Sequence, residues 1–150
     1  MRHPPFKLCD FTDMRKWQTI LNRWGPVLLV MAAIFAFSSL PGEKAEAVLV
    51  GLVGTTESAP IEALPQMVID WYKVGHVIGY ALLGAAAARA LALSGRAGFW
   101  PALLICAAYA VTDEFHQHFT PNRSGRALDV LIDAGAAAVA IYLYLFFRKK

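Results

Sequence analysis

Residues 24–40 read WGPVLLVMAAIFAFSSL, without a charged side chain, and three further apolar blocks follow at about 73–93, 98–118 and 128–147. No other feature constrains the fold as strongly. A hydrocarbon core about 30 Å thick is crossed by roughly 20 helical residues at 1.5 Å each, so blocks of this length read as membrane spans. The chain has 150 residues and is 57% hydrophobic, above the usual apolar share of a soluble globule. The expected fold class is all-α, an integral membrane bundle of four transmembrane helices in one domain.

Local signals set the expected boundaries. Pro26 suits the first turn of the first span, and Pro41-Gly42 ends it. The second block, KVGHVIGYALLGAAAARALAL, is rich in small residues that let helices approach closely in lipid. The third is uninterrupted apolar only from 98 to 111, so it spans only if the helix carries on through TDEFHQHF. Residues 1–23 read as a cytoplasmic tail, 24–147 as the membrane domain, and 148–150 as a basic C-terminal tail. The AEA triplet at 45–47 weakly resembles a signal-peptidase site, but the long polar leader and the charge pattern favour an uncleaved first span.

Charge gives orientation. Arg2, Lys7, Arg15, Lys16 and Arg23 precede the first span, Arg89 and Arg96 flank the turn between the second and third, and Arg148, Lys149 and Lys150 end the chain. With four helices these clusters share one side, which the positive-inside rule makes the cytoplasm. The 41–72 connection carries Glu43, Glu46, Glu57, Glu62 and Asp70 against Lys44 alone. Net charge is only +3 and no basic stretch alternates with aromatics, so nucleic acid is not an expected partner. Cys9 and Cys106 lack metal or framework spacing, and no cofactor is expected.

The chemistry lies in polar residues at one end. At about 100° per residue, Asp70, Lys73, His76 and Tyr80 make one stripe on the second helix. Tyr109, Asp113, His116 and Gln117 share a face of the third, with Glu114 to one side, and Asp129 and Asp133 are one turn apart on the fourth. Lipid-facing carboxylates are costly, so the stripes should converge on an interior or water-filled site. There Asp113 or Asp133 orients His116 or His76 for proton transfer, while Lys73 and Arg123 hold an anionic group. Glu114 joins the chemical set, and Gln117 and Asp129 the binding set.

Other readings stay open at this point. Asp113, His116, His76 and Asp133 can supply divalent-metal ligands, or the cluster can serve only to fasten helices. A role in catalysis and a role in binding alone are both compatible with these residues. Ser38 and Ser39 are expected to bond backbone carbonyls, with closure of the fourth side of the site as the other option. Arg89 is expected to snorkel, His118 to lie exposed or cap, Tyr80 to pack inside, and Gly135 to give close helix contact.

The motifs FSSLPG, DWYKVGHVIGYALLG and above all DEFHQHFTPNRSGRALDVLIDAGA occur in this order, and with them the chain resembles the VanZ-like family of small bacterial membrane proteins. The resemblance covers about two thirds of the chain, and the last motif is its specific part. It implies a four-helix membrane protein and places the family's polar positions at Lys73, His76, Asp113, Glu114, His116, Gln117, Arg123, Asp129 and Asp133. The namesake is associated with glycopeptide resistance, particularly to teicoplanin. The partner expected is a membrane lipid or a lipid-linked cell-wall precursor.

Overall fold

Among the described residues, 11–40, 71–120 and 126–150 of the computed structural model, all regular structure is helical: α1 (Phe11–Ser38), α2 (Trp71–Leu93), α3 (Phe99–Gln117) and α4 (Ala127–Arg148). Three of them are long and apolar enough to cross a membrane, over Met14–Ser38, Lys73–Leu93 and Ala127–Arg148. The third helix does continue through Asp113 and Glu114, and its 19 residues reach about 28 Å. Helix α2 is central, packing on each of the other three and most extensively on α4.

The bundle reverses the polarity of a soluble domain. Leu29, Trp100, Leu104, Phe115 and Leu131 face outward, while Ser38, His76, Asp113, Glu114, Gln117 and Asp133 are buried. An apolar periphery around buried acids fits lipid surroundings, where polar groups turn inward.

Three local features explain the elements. Helix α2 ends where Arg96 N–H donates to Leu91 O and Gly95 N–H to Ala92 O, at 2.9 and 3.2 Å. This Schellman cap needs the left-handed φ of +71° that Gly95 supplies. Pro101 lies in the first turn of α3, where its missing N–H has no partner to lose.

Pro26 corrects the expected start of α1: it lies inside the helix, which begins at Phe11 and not near Trp24. An internal proline orphans the carbonyl four residues earlier, here Asn22 O. Arg89 Nη1 donates to that oxygen at 3.0 Å. The guanidinium, exposed at the end of α2 away from the acids, thus fills the gap in the α1 ladder.

Close helix contact falls at Gly84 and not at Gly135. A Cβ at Gly84 would lie 2.6 Å from Ala137 O, whereas one at Gly135 would meet nothing within 4 Å. The glycine on α4 points away from the crossing, and Ala137, fully buried, makes it instead. Val139, four residues further along α4, faces outward as well.

Candidate functional site

The antiparallel course of the helices brings the end of α1, the start of α2, the end of α3 and the start of α4 to one end of the bundle. There the buried polar residues meet. Ser38 Oγ, Gln117 Nε2 and Tyr80 Oη donate to one oxygen, Asp113 Oδ2, at 3.0, 3.1 and 3.4 Å. The other oxygen, Asp113 Oδ1, is buried without a hydrogen-bond partner among the described residues.

Beside it, His76 Nδ1 lies 3.2 Å from Asp133 Oδ2 and 3.8 Å from Asp113 Oδ2. An ionised carboxylate can only accept, so the Nδ1 proton is the donor, and a neutral ring then carries its lone pair on Nε2. Gln117 Nε2 stands 3.5 Å from that atom. The imidazole also stacks near Tyr80, with ring centroids 6.0 Å apart. His76 therefore has a fixed tautomer and a basic nitrogen held within a desolvated cluster.

The rim is ionic. Lys73 Nζ pairs with Asp129 Oδ1 at 3.3 Å, with side chains 44% and 22% exposed. The expected anion-holding lysine is thus already engaged by a carboxylate. Glu114 Oε2 accepts from Arg126 N–H at 2.7 Å. Arg126 is the N-cap of α4 and has no side-chain cap of its own, so a glutamate from α3 satisfies the helix start. Lys73, His76, Glu114, Asp129 and Asp133 enclose a cavity of about 20 Å³, room for about one water molecule.

His116 is not brought to this centre. Its Nε2 lies 3.2 Å from Ser39 Oγ, and its ring sits 4.6 Å from that of Phe35. The Ser39 hydroxyl donates to Phe35 O at 2.7 Å, so His116 Nε2–H is the donor to Ser39. Neither Asp113 nor Asp133 orients this ring. Asp113-x-x-His116 consequently supplies no shared metal centre, and among the described residues no group of three His, Cys, Asp or Glu side chains is arranged to hold an ion. Arg123 and Asp70 lie outside the described residues.

Two further members join the cluster through Asp113. Of the two options for the serines, Ser39 bonds a backbone carbonyl, Phe35 O, and Ser38 closes the site on Asp113. Tyr80 is fully buried and its hydroxyl is satisfied, as expected, by the same carboxylate. The available signal was the position of Ser38 at the polar end and of Tyr80 one turn from His76. His118 is exposed and follows the last residue of α3 as its C-cap.

An outward-facing apolar surface, long apolar helices and a polar cluster sealed at one end define a multi-pass membrane protein with an internal polar site. The chain belongs to the VanZ/LLP1 family, whose model matches residues 24–148. No curated protein and no solved structure matches it.

Proposed function

We propose that this protein binds, and through His76 acts on, the head group of a membrane lipid or lipid-linked envelope precursor at the polar end of the bundle. The observation that carries the reading is Asp113, a buried carboxylate with three donors on Oδ2 and none on Oδ1 among the described residues. An unmatched buried acceptor costs about 1–3 kcal/mol, and a ligand donor removes that cost. Asp113, Glu114, Asp129 and Asp133 outnumber Lys73 and His76 here, and Lys73 is paired. A head group offering N–H or O–H donors suits this set better than a bare phosphate.

In this reading Asp133 orients His76, whose Nε2 takes the proton from the bound group. Glu114 and His116 flank the chemistry, while Lys73, Gln117, Asp129 and Arg123 position the head. The setting is the bacterial inner membrane, with both termini cytoplasmic and the site toward the outer leaflet. The proposal extends to a link with glycopeptide resistance of the teicoplanin type, the association of the family's namesake. The test is conversion or retention of envelope lipids by purified protein in nanodiscs, beside lipid and precursor profiles of deletion and complemented strains. Retention or turnover that His76→Gln and Asp113→Asn abolish, in folded protein, is the expected result. Folded variants of both residues with full activity overturn it.

A second reading has its own support. Ser38, His76, Asp113 and Asp133 come one from each helix, so the network also fastens the bundle, as a non-enzymatic envelope scaffold requires. Loss of activity that tracks loss of stability in every variant favours this role.

A further inference from the structure

His76 lines two spaces of opposite character. One is the small polar cavity described above. The other is an apolar groove of about 250 Å³ between α1 and α2, bounded by Val30, Ala33 and Phe37 on one side and His76, Gly79 and Leu82 on the other. Gly79 lets the two helices approach closely beside the groove: a Cβ there would come 3.1 Å from Ile34 Cγ1. Val30 to Phe37 spans seven residue rises of helix, about 10 Å, or two thirds of the roughly 15 Å depth of one leaflet.

We propose that this groove holds the head-proximal part of one acyl chain of a bound lipid, with His76 at the junction between chain and head. The proposal rests on the head-group reading above and adds the chain as a second recognition element. The groove opens on membrane-spanning helices, where an apolar hollow is filled by hydrocarbon. It runs from mid-span to the polar cluster, so one molecule with a tail along α1 and α2 brings its linkage region to His76. A second apolar hollow, at Trp100, Leu103 and Leu104 on α3, has no titratable lining residue. It provides the internal comparison for ordinary boundary lipid.

The experiment uses the full chain in vesicles of phosphatidylethanolamine and phosphatidylglycerol, with a phosphatidylethanolamine probe bearing a diazirine partway along one acyl chain. After irradiation, labelled residues are located by mass spectrometry. Labelling at the α1–α2 groove several-fold above that at Leu103 and Leu104 is expected. Ala33→Phe and Leu82→Trp, both at outward-exposed positions, should fill the groove and abolish the excess while labelling at α3 persists. Equal labelling of the two hollows, or an excess that both folded variants retain, overturns the proposal. Native mass spectrometry of the released protein separates this from the parent reading. Selective retention of one head-group class without groove labelling removes the groove alone. Groove labelling that is the same for probes of different head groups leaves the groove and removes the head-group reading.

Discussion

Asp133 Oδ2 and His76 Nδ1 lie 3.2 Å apart inside the bundle, joining the second turns of α4 and α2. With Asp133 ionised, the contact places the proton on Nδ1 and leaves the lone pair of a neutral ring on Nε2. If the pair works as a unit, His76→Gln should lower lipid turnover about 100-fold or more, the range for a lost acid-base group. Asp133→Asn should lose less, and the double variant should be no worse than His76→Gln. Fully additive losses in the turnover assay would show that Asp133 does not act through His76. His116→Gln, whose ring is held by Ser39 instead, should retain more activity than His76→Gln.

Asp113 distinguishes charge from packing. Asp113→Asn keeps one oxygen to accept from Ser38, Gln117 and Tyr80, so thermal unfolding in detergent should change little while activity is lost. Asp113→Leu strands those donors at about 1–3 kcal/mol for each one left unmet. A steep fall in the unfolding temperature is expected. Equal stability of the two variants would mean that these donors find other partners.

The α2–α4 crossing should tolerate a methyl group at one glycine and not at the other. Gly84→Ala drives Cβ against the Ala137 carbonyl, a backbone atom that cannot rotate away. A loss of about 1–3 kcal/mol is expected for overpacking. Gly135→Ala meets open space and should be neutral or stabilising in the same unfolding assay. The reverse order would contradict the observed crossing.

Pro26 and Arg89 should be coupled. Restoring an N–H with Pro26→Ala gives Asn22 O an intrahelical donor, so the guanidinium is no longer needed there. Arg89→Ala should cost about 1 kcal/mol in the parent protein and clearly less in the Pro26→Ala background. A double-mutant cycle with no coupling would remove this role from Arg89.

Much of the architecture is written in the chain. Apolar runs of spanning length require helices in lipid, and the acids and histidines gathered near connected ends place the polar cluster at one end of an antiparallel bundle. Membership of the cluster is another matter. On α3, Gln117 stands about 40° from Asp113 around the helix and His116 about 60° to the other side. Periodicity puts all three on one face. The rotation of α3 between its neighbours separates them, turning Gln117 toward His76 and His116 toward Ser39, just past the end of α1. The same holds for the glycines: Gly84 and Gly135 are alike in sequence, and only packing puts one against a facing carbonyl. The lengths of the apolar spans follow from local hydropathy, which each residue carries by itself. The azimuth of each helix is set by side chains from the other three, and no single stretch of sequence contains that information.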